Sequence, residues 1–319
     1  MGTRFELVLV DADEPARLRA AGEEALAEVA AVEEWLSPYR PGGGLARVNA
    51  GAARGGVAVD GRMLGFLRAA RALAEASGGA CDPTAGALVA CWRAALADGR
   101  VPDAAVIAQA RAACGMDLVV CDEAAGSVRF AHPGVRLDPG ALGKGVALDR
   151  AAALLREQGV RRALLHGGTS SVVGLGDPGW PIAIRHPLHV DQVIATTTLS
   201  DATLSVSAGH GRATVVAGRS YGHVIDPRSG WPVTGNLLAA ATHPQATISE
   251  GLSTALLVVG EEGSAGLAQR FPEAGLLLVQ NDDGDLRVTI IGEGFASDAP
   301  FARRRPPRTA ARWAAIRSR

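Results

Sequence analysis

The 319-residue chain is poor in the features that mark several large protein classes. Aromatic residues make up only 4% of it, with two tyrosines among them. No apolar run approaches the ~18 residues of a membrane span, so no transmembrane helix is expected. The first residues, MGTRFELVLV, lack the basic-then-apolar order of a signal peptide, and Glu6 stands where a myristoylation signal needs Ser or Thr. A cytoplasmic protein is the expectation. Four cysteines, Cys81, Cys91, Cys114 and Cys121, show no CxxC spacing, which argues for reduced thiols and against disulfides or a zinc site. The net charge of −1 is uneven: seven arginines without an acid lie between Arg303 and Arg319, leaving −8 for the rest. A body that acidic disfavours nucleic acid as a partner.

What is present is apolar bulk and patterned glycine. At 48% hydrophobic, the chain can bury a full core, as one large or two intimate α/β lobes. Arg4 to Val10 alternates as a strand, and Pro15 opens a helix with an apolar stripe at Leu18, Ala21, Ala25, Val29 and Val32. Ser37-Pro-Tyr39, the glycine run Gly42 to Gly44 and Leu45 to Asn49 read as one loop, in which Tyr39 is either a stacking platform or an ordinary surface tyrosine. Helices are expected over Arg62 to Ala76 and Val101 to Cys114. Cys81-Asp-Pro-Thr-Ala-Gly86 leads into another helix, first of all as a capping arrangement. Leu118 to Cys121, Ser127 to Phe130 and Val135 to Leu137 read as short strands. From Arg162 to Thr242 short β-runs dominate, among them Tyr221 to Ile225, and a helix over Thr247 to Val259 is stopped by Gly260. Asn281 to Asp285 reads as a hairpin turn, and the segment after Pro300 as a disordered tail.

Three stretches carry candidate chemistry. Arg136 to Asp149, RLDPGALGKGVALD, breaks at Pro139-Gly140 and restarts as a helix, with Lys144 among glycines that let backbone groups approach an anion. It is not a Walker motif, because Gly145 follows Lys144 where a hydroxyl residue belongs. Gly174-Leu-Gly176-Asp-Pro-Gly179 spells a dinucleotide fingerprint, but Trp180-Pro181 prevents the helix that the motif needs. Glu250 and Thr254 are four residues apart and share a helix face, so they suit one hard cation; equally, Thr247-Ile-Ser-Glu250 spells a capping box. His223 and Asp226 lie in Tyr221-Gly-His-Val-Ile-Asp226, where a neutral histidine either takes a proton from a hydroxyl or is merely structural.

Taken in order, these motifs resemble the FAD:protein FMN transferases of the ApbE family, from Met1 to about Gly260. Met1-Gly-Thr3, Ser37-Pro-Tyr39 through Asn49, Asp82-Pro-Thr84 with Gly86, and Leu137-Asp138 with Lys144-Gly145 and Asp149 carry the resemblance. So do Gly167-Gly168, Arg185 with Pro187, Ser207 with Gly209, His223 through Gly230, and Leu252-Ser-Thr254. The resemblance implies an α+β, T-fold-like architecture in residues 1–300, two β-rich α/β lobes with a flavin cleft between them. It implies that magnesium-assisted transfer of FMN from FAD, to a Ser or Thr hydroxyl of an acceptor flavoprotein, releases AMP. His223 and Lys144 would then be catalytic. Met1, Thr3, Tyr39, Asp82, Thr84, Lys144, Gly167, Gly168, Arg185, Ser207, His223 and Asp226 would bind FAD. The Gly143 carbonyl, Glu250 and Thr254 would hold Mg2+, with Glu250 standing where the family has Asp. A magnesium-dependent FAD pyrophosphatase and a non-catalytic FAD-binding protein are the alternative functions.

Overall fold

The computed structural model describes residues 2–10, 15–189, 191–209, 213–282, 285–297 and 302–305. Seven helices are found there: α1 (Pro15–Leu36), α2 (Gly44–Gly51), α3 (Gly61–Ala76), α4 (Gly86–Ala97), α5 (Ala104–Arg111), α6 (Gly143–Glu157) and α7 (Ala246–Arg270). The strands of the first half are β1 (Phe5–Val10), β2 (Val57–Ala58), β3 (Val119–Asp122) and β4 (Ser127–Phe130). The second half adds β5 (Arg162–Gly167), β6 (Ser171–Leu175), β7 (Trp180–Arg185), β8 (Val193–Leu199), β9 (Ala202–Ala208), β10 (Thr214–Val216), β11 (Arg219–Tyr221), β12 (Asn236–His243), β13 (Gly275–Asp282), β14 (Asp285–Ile291) and β15 (Ala302–Arg305).

The organising layer is an eight-stranded sheet in the order β1-β5-β6-β9-β12-β13-β14-β15, antiparallel except where β15 joins β14. Its central strands are apolar on both faces, and their period of two divides them between two cores. Ala239, Ala241, Leu276 and Leu278 point into the larger core, built with the buried stripes of α1, α3, α6 and α7. Their neighbours Leu238, Ala240, Leu277 and Val279 point the other way, under the β7–β8 ribbon and its Ile184, Ile194 and Leu199. A third cluster stands apart: Leu88, Trp92 and Ile107 of α4 and α5 pack with Val216, Tyr221 and Ile225 around the β10–β11 ribbon. The fold is α+β with antiparallel sheets.

Several local expectations are corrected. Leu45 to Asn49 is helical, as α2, not a loop. Val135 to Leu137 forms no strand beyond an isolated bridge from Arg136 to Ala85, because the Asn49 side chain takes up both backbone groups of Leu137. β11 ends at Tyr221, and Ile225 makes only a bridge to Pro232. Gly260 does interrupt the late helix, at φ 64° and ψ −159°, a conformation that side chains disfavour. Helical turns resume after it and run to Arg270, while Asn236 Nδ2 donates to the Leu257 carbonyl at 2.7 Å and so caps the turn before the break. Within the arginine-rich segment, Ala302–Arg305 pair in parallel with β14; 301 and 306–319, where the rest of the expected tail falls, lie outside the described residues. The four cysteines form no disulfide. No helix among the described residues is long and apolar enough to cross a membrane.

Candidate active site

The approach to Lys144 is fixed by hydrogen bonds that leave little freedom. Arg136 O accepts from Gly86 N, and the Asn49 amide bonds Leu137 in both directions at 2.8 Å, imitating a strand partner. Asp138 N then donates to Pro83 O at 2.7 Å, while Asp138 Oδ1 accepts from Gly140 N at 2.9 Å and closes the turn. Leu142 and Gly143 both donate to Pro139 O, and α6 starts there. At Gly145, α6 meets the start of α7 at backbone contact: a Cβ would lie 2.6 Å from the Thr247 amide and 2.5 Å from Ala246 O. Only glycine permits this crossing.

At the crossing each helix supplies the carboxylate that caps the other. Asp149 of α6 accepts from Ala246 N (2.6 Å), Thr247 N (2.9 Å) and Thr247 Oγ1 (2.6 Å), the first turn of α7. Glu250 of α7 accepts from Gly145 N at 2.7 Å, in the first turn of α6. Unsatisfied amides and the positive ends of both macrodipoles are answered in one exchange. The capping-box reading of Thr247 to Glu250 is therefore corrected: Gln245 precedes the helix with no side-chain cap, and Glu250 reaches α6 instead of its own first turn.

Glu250 is 2% exposed, where an ionised carboxylate survives only if it is paired. Besides the Gly145 amide it accepts from Ser171 Oγ at 2.5 Å and forms an ion pair with Lys144 through Oε1. Lys144 thus stands between a buried carboxylate and open space. That space is a cleft of about 1370 Å³ between the larger core and the third cluster. Thr3, Tyr39, Asp82, Gly143, Lys144, Ser207, His223, Glu250 and Thr254 all line it. On the α7 side, hydroxyls gather: Ser207 Oγ lies 2.9 Å from Ser253 Oγ and 3.3 Å from Thr254 Oγ1. At the rim the Tyr39 hydroxyl donates to Asp138 Oδ2 at 3.3 Å and accepts from Arg93 Nη1 at 3.2 Å.

Desolvation is visible in two lining groups. Burial raises the Asp82 carboxyl above the ordinary aspartate range, against the lowering effect of the Thr84 hydroxyl and amide bonded to it. Burial, with Asp82 and Glu250 nearby, pushes the Cys81 thiol up to about 12, so it is inert as a nucleophile.

Five expected site residues lie elsewhere. Thr84 is fully buried behind Asp82, its hydroxyl donating to that carboxylate and accepting from Gly115 N at 2.6 Å. Gly167 faces Phe5 and Leu148, while a side chain at Gly168 would collide with the Thr3 hydroxyl, so Gly168 makes room for Thr3. Arg185 ends β7 away from the cleft. Asp226 turns back onto Arg228, which binds it through Nε and Nη2 at 2.9 Å each, while Ile225 and Pro227 face the cleft. Met1 lies outside the described residues.

Other contributors carry weaker sequence signals. Ser171 is one hydroxyl in a strand, and nothing in its spacing pairs it with Glu250. Trp92 and Tyr221 line the cleft from the third cluster with ring centroids 5.5 Å apart, although 129 residues of chain carry no pattern that joins them. One signal was plain: Lys144 is the only lysine in the sequence, all other such cations being arginine. Among the described residues no group of three His, Cys, Asp or Glu could hold a metal, so any cation here would depend on hydroxyl and backbone oxygens as well.

With the geometry in place, comparison with known proteins is decisive. Residues 1–277 match the model of the ApbE family. The chain is 31% identical over 285 residues to the FAD:protein FMN transferase of Treponema pallidum (strain Nichols), covering 84% of this chain and 79% of that one. It is 33% identical over 255 residues to the FAD:protein FMN transferase of Rhodobacter capsulatus, covering 77% of this chain but only 48% of that longer relative. The crystal structure of the ApbE protein from Thermotoga maritima superposes with a TM-score of 0.79 at 26% identity, over 90% of this chain and 93% of that one. The chain belongs to the ApbE family.

Proposed function

We propose that the protein is an FAD:protein FMN transferase, which moves FMN from FAD onto a Ser or Thr hydroxyl of an acceptor protein and releases AMP. What carries the reading is the single cleft in which Lys144, the Ser207–Thr254 hydroxyls and His223 converge, in a chain whose relatives bear that name. The cleft has the volume for a dinucleotide and polar groups at separate points of its wall.

Lys144, at the start of α6, supplies positive charge to the diphosphate of FAD. His223, which lines the same cleft, takes the proton of the acceptor hydroxyl as its oxygen attacks the FMN phosphorus and the bond to the AMP oxygen breaks. The donor set fits a hard divalent ion. Glu250, Thr254 and the Gly143 carbonyl are all oxygen ligands, and the buried carboxylate already accepts a cation, the Lys144 ammonium, on Oε1. Those three residues would hold Mg2+, which when bound neutralises charge on the transferring phosphoryl group.

The test is incubation with FAD and Mg2+, with and without a candidate acceptor, following AMP, free FMN and protein-bound flavin by mass. Acceptor-dependent AMP with flavin on the acceptor is the expected result. Free FMN and AMP without an acceptor would make the protein a pyrophosphatase, and bound FAD left intact would make it a flavin carrier.

A further inference from the structure

Of the three donors on Glu250, two are fixed and one is mobile. Gly145 N belongs to the α6 backbone and Ser171 Oγ to a strand buried throughout. Lys144 comes on a flexible four-carbon stem and is 23% exposed on the cleft side, against 2% for Glu250. A compact, strongly hydrated ammonium is also the side-chain cation nearest in kind to a small metal ion, and the chain uses it here alone.

We infer that Lys144 is a displaceable occupant of Glu250. A divalent cation takes over Oε1, and the released ammonium swings into the cleft, where the diphosphate gives it a new partner. Gly145 N on Oε2 holds the carboxylate in place during the exchange, and Ser171 Oγ shares Oε1 with the incoming cation as it does with Lys144, so Glu250 keeps its cap on α6 whichever cation it carries. The inference rests on the transferase reading, since it needs both a cation and a diphosphate in this cleft. Two consequences follow from competition for one oxygen. Without FAD, Lys144 weakens cation binding; with FAD, cation and dinucleotide bind with positive coupling, each removing the cost that the other meets.

Two measurements on the full chain decide it, with Mn2+ as the probe and no FAD present. Mn2+ affinity, read by electron paramagnetic resonance, is expected to rise at least tenfold in Lys144→Met; equal or weaker binding overturns the inference. Removing a nearby charge would itself tighten binding, so the second measurement asks for displacement. Acetylation of Lys144, followed by peptide mapping at this one lysine, is expected to run at least threefold faster in the wild type when Mn2+ saturates. A rate that Mn2+ leaves unchanged or slows overturns the inference even if Lys144→Met binds more tightly. AMP release from FAD is followed in the same preparation: AMP with no labelling change ends the displacement and leaves the transferase standing, whereas no AMP with any acceptor ends the transferase reading.

Discussion

Asp82 sits in the cleft wall with its carboxyl raised, because burial disfavours the charge more than Thr84 and the Met116 amide favour it. Its sign sets a pH dependence. Between the ordinary aspartate value and the raised one, the folded protein holds a proton that the unfolded chain has lost. This contribution to stability is therefore largest in acid and falls away as pH rises through the folded value. Asp82→Asn keeps an oxygen for the Thr84 amide and hydroxyl but cannot ionise, so it should gain stability relative to the wild type as pH rises from 4 to 7. Urea denaturation across that range checks it, and a difference that shrinks with rising pH would show that the carboxylate is not penalised. His223 supports a different kind of prediction, since it would act on a proton and not on binding. His223→Ala should retain FAD, measured by flavin fluorescence, and lose transfer by about 10²- to 10⁴-fold in AMP release. An unaltered rate removes it from the chemistry.

At the scale of elements, the exchange of caps between α6 and α7 is what holds Lys144 and Glu250 to each other. Asp149→Ala leaves two half-buried amides and a hydroxyl of the first turn of α7 without their acceptor, at a cost of about 2 kcal/mol. Asp149→Asn retains an acceptor oxygen and should recover part of it; chemical denaturation of the pair checks both, and equal loss in the two would point to charge in place of capping. Periodicity made α1, α3, α6 and the strands from Arg162 onward legible in the sequence, because their apolar faces repeat at 3.6 or 2 residues. It could not show the caps. Asp149 lies 97 residues from the amide it serves, and Glu250 lies 105 from Gly145, so the local Thr247-to-Glu250 spacing offered a capping partner that the fold does not use. Asn49 misled in the same way: its side chain replaces the strand pairing that the Val135 to Leu137 pattern suggested.

For the molecule as a whole, the cleft joins parts of unequal strength. Lys144, Glu250 and Thr254 belong to the helices packed on the large sheet, whereas Trp92 and Tyr221 belong to the small cluster of α4, α5 and the β10–β11 ribbon, six buried apolar residues among the described ones. So small a core opens more readily than the main one, and local unfolding there leaves the sheet intact. Motif order in the sequence singled out Lys144, Ser207, His223, Glu250 and Thr254, which line the cleft, but not that this weak cluster, assembled only by tertiary contact, would form part of its wall. A dinucleotide that reaches from Lys144 to Tyr221 binds only while the cluster is closed, and it therefore adds to the stability of the closed state by mass action, about 2.7 kcal/mol at a hundredfold excess over Kd. Amide hydrogen exchange should accordingly slow most in α4, α5 and Arg219–Tyr221 when FAD is added, by up to about a hundredfold, while β12 and β13 change little because they open only on global unfolding. Protection confined to α6 and α7 would mean that the ligand occupies the Lys144 end alone and that Trp92 and Tyr221 have no part in holding it.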